Sequence, residues 1–194
     1  MKEFLEYFEV LGSSTRGKNR PVSAINKRYA GEKATSIKDL FSILEDPAKH
    51  QHRRFIIEGY ILEFSSYKFK EIIKKVGGSG RVYAFEEKPN EEIVKYIYHF
   101  MAYMKDSSNE DEKRNLNVYI LTNEEDQRLL DAWRMLPSPA ELELWEKISK
   151  TDIEKFEKKF QELTNPENQV KMVVELLITG SGKAFFKLFD TIFV

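Results

Sequence analysis

The chain closes on a β-hairpin, and no other feature limits its fold as strongly. Two β-prone runs flank Thr179-Gly180-Ser181-Gly182, and the sequence stops at Val194 on the second of them. In that run Lys183, Phe185, Lys187 and Phe189 alternate with Ala184, Phe186, Leu188 and Asp190. Glycine supplies the positive φ angles that tight hairpin turns demand, so Gly-Ser-Gly between such runs predicts antiparallel pairing. A chain that ends on a paired strand ends where its fold closes. Val194 is therefore expected to be a native C-terminus.

With 194 residues and 41% hydrophobic content, the chain can build a core of its own. It has no cysteine, which excludes disulfides, Cys-ligated zinc, iron–sulfur clusters and thiol catalysis. Its three histidines (His50, His52 and His99) are too few and too scattered for a multi-histidine metal site. No cofactor is expected. No apolar run approaches the roughly 20 residues of a membrane span. The acidic, amphipathic N-terminus is not a signal peptide. The sequence lacks the phosphate-binding loop, the nucleophile elbow and the H-E-x-x-H zinc motif, and its carboxylate runs read as solvated faces. It is read as a non-enzyme. The formal net charge of −1 does not favour binding through a large phosphate footprint.

Residues 1–34 read as a short amphipathic helix carrying Phe4, Leu5, Phe8 and Leu11, followed by a basic linker that includes Arg16, Lys18, Arg20, Lys27, Arg28 and Lys33. Residues 35–194 read as one domain. Ser36 is suited to cap a helix from Ile37 to Glu45, with Pro47 beyond it. Arg53–Phe64 alternates as a long strand, and Gly59 in its middle predicts a sharp bend, as at a barrel corner. Tyr67–Val76 reads as a basic amphipathic helix, broken by Gly77-Gly78-Ser79-Gly80. Arg81–Phe85 follows as a short strand, Ile93–Lys105 fits either a helix or a strand with the alternation favouring a strand from Tyr98, and Leu116–Leu121 is the next strand, after a polar loop over Asp106–Asn115. A helical insertion spans about 124–164, its last helix starting after a Thr151 cap. Five strands with a helical insertion between the third and fourth predict a mainly β fold with helices: a five-stranded OB-fold barrel.

The segments Thr35–Phe41, Phe55–Ile61, His99–Ser107, Leu116–Leu121 and Phe186–Val194, in that order, resemble the C-terminal OB-fold of the protection-of-telomeres family, which includes the alpha subunit of ciliate telomere end-binding protein. The likeness spans roughly residues 35–194 and rests on order and pattern. It implies a nuclear, telomeric domain that mainly binds a beta-type partner subunit of the telomere cap and so helps protect single-stranded chromosome ends. Direct binding of telomeric single-stranded DNA by this or a neighbouring domain is the alternative. The cysteine-rich zinc insertion of some members is absent.

Two sets of candidate residues follow. Trp133, Leu136, Leu142 and Trp145 gather around Pro137 and Pro139 in the insertion and are candidates for partner contact, or else they seal one end of the barrel. Arg53, Arg54, Tyr60, Tyr103 and Lys105 are candidates for nucleic acid, with aromatics stacking bases and cations tracking phosphates. Against that reading, most strand aromatics belong to a core and most surface charges are merely solvated.

Overall fold

One glycine in the first strand decides how the barrel closes. In a computed structural model that describes residues 31–122, 147, 149–162 and 164–192, strand β1 spans Arg54–Phe64. From Arg54 to Tyr60 it pairs antiparallel with a strand near the end of the chain, Arg54 opposite Glu175 and Tyr60 opposite Gln169. From Tyr60 to Phe64 it pairs instead with a central strand, Tyr60 opposite Lys105 and Phe64 opposite Ala102, with a register shift between Ile61 and Glu63. The exchange of partners occurs beside Gly59. A β-carbon there would overlap the Lys105 carbonyl oxygen and lie 3.1 Å from its carbon, so only glycine permits the approach. The bend expected at this glycine is present.

The remaining elements follow in order. Helix α1 (Ile37–Ile43) precedes β1, joined to it through a 3-10 turn at Pro47–His50. After β1 come the helical turn α2 (Phe69–Ile72) and strands β2 (Ile73–Gly77), β3 (Val82–Ala84), β4 (Ile93–Lys105) and β5 (Leu116–Thr122). Helix α3 (Lys150–Glu162) leads to β6 (Gln169–Ile178) and β7 (Ala184–Ile192). Five strands form a closed ring in the order β1-β6-β7-β5-β4 and back to β1. All neighbours are antiparallel except β5 and β7, which are parallel and in register at Val118↔Phe186 and Tyr119↔Lys187. This is an OB-fold barrel, and α3 lies between its third and fourth strands.

The closing hairpin forms as expected. Ile178 pairs with Ala184, the Thr179 N–H donates to the Lys183 carbonyl at 2.9 Å, and Gly182 takes φ +84°. Phe186 and Leu188 enter the main core, while Phe185 and Phe189 belong to small clusters elsewhere, as the alternation requires. Inside the barrel Phe55 meets Phe186 edge-on at 6.0 Å, and Phe64 meets Phe100 at 5.4 Å.

Two helices pack at different ends of β4. The Ser36 hydroxyl caps α1 by accepting from Asp39 N–H. The Asp106 carboxylate, just past β4, accepts from Ile37 N–H at 2.8 Å, where a negative charge suits a helix N-terminus. Helix α3 buries Phe156 against Phe69, which also meets Phe85, and Phe85 packs near Tyr96 early in β4.

Three sequence expectations need correction. The helix expected over Tyr67–Val76 survives only as Phe69–Ile72, and Ile73–Gly77 is strand β2. The strand expected from Tyr98 begins at Ile93, because β2 pairs with the first half of β4. Strands β2 and β3 thus extend the sheet to seven strands outside the five-stranded ring. Helix α3 is capped by Ser149, whose hydroxyl accepts from Asp152 N–H at 3.3 Å, and not by Thr151, which lies inside the helix. The N-terminal helix and most of the basic linker lie outside the described residues. No described helix is long and apolar enough to cross a membrane.

Candidate partner and nucleic-acid interface

The outer face of the barrel is organised in rows that run across the strands. Cross-strand pairing places Arg54 of β1 beside Glu175 of β6, Glu175 beside Lys187 of β7, Lys187 beside Tyr119 of β5, and Tyr119 beside Met101 of β4. One half of this row is charged and the other apolar.

The charged half is paired by charge, although Glu175 Oε2 accepts no hydrogen bond among the described residues. Glu175 is 1% exposed, a very low value for a carboxylate. Arg54 Nε lies 3.6 Å from Glu175 Oε2, and His52 Nδ1 lies 3.4 Å from Oε1. The Arg54 guanidinium also lies over the Phe189 ring, 3.6 Å from its centre. A buried carboxylate without a cation would be costly, so Arg54 is held in place by the need to compensate Glu175. Lys187, itself buried, stands on the other side.

Lys105 is committed in a similar way. Its ammonium is buried and donates to the carbonyls of Asn109 at 3.2 Å, Glu110 at 3.1 Å and Glu112. An ammonium has three donors, and all three are used to hold the β4–β5 loop. Arg53 is exposed, bonds His50 Nδ1 at 2.8 Å and lies 5.6 Å from the Phe55 ring centre. Tyr60 and Tyr103 are half-buried at the β1–β4 seam, with Tyr60 opposite Lys105 and Tyr103 opposite Glu63. The five residues nominated for nucleic acid therefore do not form one patch. Arg53 and Arg54 stand at the start of β1, and Tyr60, Tyr103 and Lys105 at its far end. Trp133, Leu136, Leu142 and Trp145 lie outside the described residues.

The apolar half of the face is carried by β4 and β5. His99, Met101 and Tyr103 of β4 and Tyr119 of β5 are half-buried on its outer side, with Asn117 exposed among them. Tyr119 meets Phe185 edge-on at 5.3 Å, and Leu121, Leu177 and Phe185 form a buried cluster beside it. Burial and the Lys74 ammonium push the His99 imidazole down to about 4, so it is neutral near pH 7. The sequence marks Tyr119, like Tyr103, as a strand aromatic that could stack a base, but it does not single out Met101 or His99. The alternation along β4 and β5 carried that information once the partner strands were known.

The excursion between β1 and β4 is laced by its own ion pairs and hydrogen bonds. Lys68 pairs with Glu157 of α3 at 3.2 Å, and Lys70 pairs with Glu86. The Glu91 carboxylate accepts from Ser79 N–H and Ser79 hydroxyl, both at 2.8 Å, and from the Tyr83 hydroxyl. These bonds hold Glu91 below the usual carboxylate range and raise Tyr83. Among the described residues no cluster of three His, Cys, Asp or Glu side chains is arranged to hold a metal ion.

No family model matches the chain, and no curated protein matches it. Among solved structures it is similar to a chain of the fission yeast Pot1 and Tpz1 crystal structure, at 14% identity and a TM-score of 0.44, covering 84% of this chain and 93% of that one. It is also similar to a chain of a replication protein A heterotrimer bound to single-stranded DNA, at 7% identity and a TM-score of 0.51. That match covers 83% of this chain and 36% of the other, so this chain spans little more than a third of it. At these identities the likeness is one of fold.

Proposed function

We propose that this chain is the C-terminal OB-fold domain of a telomere end-protection protein and that it binds a partner subunit of the telomere cap. The reading is non-enzymatic, nuclear and telomeric. It rests on the OB topology together with the sequence resemblance over residues 35–194. The observation that carries partner binding over DNA binding is the commitment of the cations. Arg54 is matched to buried Glu175, and Lys105 is spent on three carbonyls. Neither can track phosphates without first losing its internal partner. The β4–β5 face instead offers Met101, Tyr103 and Tyr119 beside neutral His99, a surface suited to an apolar protein segment.

The second reading, direct binding of single-stranded telomeric DNA, is favoured by one feature. The strands that carry Tyr103 and Tyr119 are those on which OB-folds receive oligonucleotides, and the replication protein A neighbour is bound to single-stranded DNA.

A titration with telomeric single strand between about 50 and 200 mM salt separates the two readings. Partner binding predicts affinity for DNA no better than non-specific, alongside capture of a cap subunit. Micromolar or tighter DNA binding with a steep salt slope would sink it. Replacing both Trp133 and Trp145 by Ala is expected to weaken partner capture, and unchanged capture removes the insertion from the interface.

A further inference from the structure

β5 and β7 run parallel and are in register only at Val118↔Phe186 and Tyr119↔Lys187. Before those positions they diverge. A pocket of about 160 Å³ opens between them, floored by Phe41 of α1 and bounded by Asn117 and Lys183. Among the described residues no Asp or Glu lines it.

Two side chains in this seam have hydrogen-bonding capacity that no described residue meets. The Arg114 guanidinium lies over the Phe41 ring, 4.1 Å from its centre, and its side chain makes no hydrogen bond or ion pair with any described residue. Its fork of donors is thus held in one plane and is spent on no described residue. Beside it the Asn115 Oδ1 is buried with no donor among the described residues. A buried acceptor without a partner is costly, and such an atom calls for an explanation.

We infer that this seam is the anchor point for an acidic residue of an extended partner segment. The carboxylate takes the Arg114 fork, with Lys183 adding positive charge at the rim, and a backbone N–H of the same segment donates to Asn115 Oδ1. One peptide residue supplies both an anion and an adjacent donor, which matches the two unmet groups. The volume is below the roughly 300 Å³ at which small-molecule sites begin and suits a single side chain. The neighbouring loop carries Glu110, Asp111 and Glu112, which repel a strand bearing a phosphate at every residue but tolerate one carboxylate. The inference rests on the partner-binding reading and names the chemistry of the partner's anchor.

The test is an NMR titration of the full chain with acetyl-Ala-Leu-Asp-Leu-Ala-amide, following the Arg114 Nε–H and Asn115 amide signals. Both signals are expected to move and saturate. The peptide with Asn in place of Asp should bind at least tenfold more weakly. Arg114→Gln should lose the same tenfold without a change in melting temperature, and Arg114→Lys, which keeps charge but not the fork, should fall between. Silence of both signals at millimolar peptide overturns the assignment. So does equal affinity for the Asp and Asn peptides. Movement of the same signals by oligothymidylate alone overturns it in favour of a nucleotide site. If the peptide saturates but no cap subunit is captured, the seam stands and the telomeric reading falls. If a cap subunit is captured equally by Arg114→Gln, the reading stands and the seam falls.

Discussion

Gly59 presses on the carbonyl of Lys105 so closely that a β-carbon would overlap the oxygen and sit 3.3 Å from the Asp106 β-carbon. The obstacle is the backbone of the last paired residue of β4, which cannot swing aside as a side chain can. Gly59→Ala is therefore expected to cost about 3 kcal/mol, at the upper end for a small-to-large change, because it forces β1 away from β4 where the barrel closes. Urea unfolding of the variant checks this. A loss under about 1 kcal/mol would show that the strands part easily.

The Arg54–Glu175 pair yields a second prediction. Arg54→Met leaves a buried carboxylate without its cation and is expected to cost about 3 kcal/mol. Adding Glu175→Gln should recover a large part of that loss, giving a coupling energy above about 1 kcal/mol in a double-mutant cycle. If Arg54 served DNA instead, Arg54→Met would lower DNA affinity at unchanged stability.

His99 makes stability depend on acid. Its folded-state value of about 4 lies below the 6.5 of a free imidazole, so the unfolded chain takes up the proton first. The contribution is whole above pH 6.5, declines between 6.5 and 4, and levels off below that, with a total of no more than about 3 kcal/mol. His99→Gln should flatten this limb of the stability-versus-pH curve. An identical curve for variant and parent would remove His99 as the cause.

Glu91 is expected to act locally. Glu91→Ala should speed amide exchange over residues 77–83 while leaving the global melting temperature nearly unchanged, since the clip is exposed and built from hydrogen bonds within one excursion. Because the folded Glu91 value is depressed, the clip is intact above the ordinary carboxylate range and is lost as pH falls through its lowered value. Uniform exchange across the whole barrel would contradict a local role.

Much of the barrel was legible because its signals are local. Ser36 caps α1 through its own neighbour Asp39, the alternation of β7 sorts Phe186 from Phe185, and Gly59 has one structural use in a strand. The misread segment, Ile73–Gly77, has lysines at 74 and 75 and becomes a strand only because the first half of β4 lies alongside it. The site was harder to read for the same reason. Arg54 and Lys105 look like surface cations in the sequence, and their commitments run to Glu175 far along the chain and to carbonyls in a folded loop. Arg114 and Asn115 give no sequence signal, since what marks them is a hydrogen-bonding group that no described residue meets.

The change of partners along β1 also sets a timetable for assembly. As the polypeptide emerges during synthesis, β1, β4 and β5 can pair early, but Arg54–Gly59 must wait for β6. Until then half of β1 is an unsatisfied edge in an incomplete sheet, the kind of edge that recruits other chains. The β6–β7 hairpin completes the ring, so truncation within it leaves an aggregation-prone fragment and not a smaller domain.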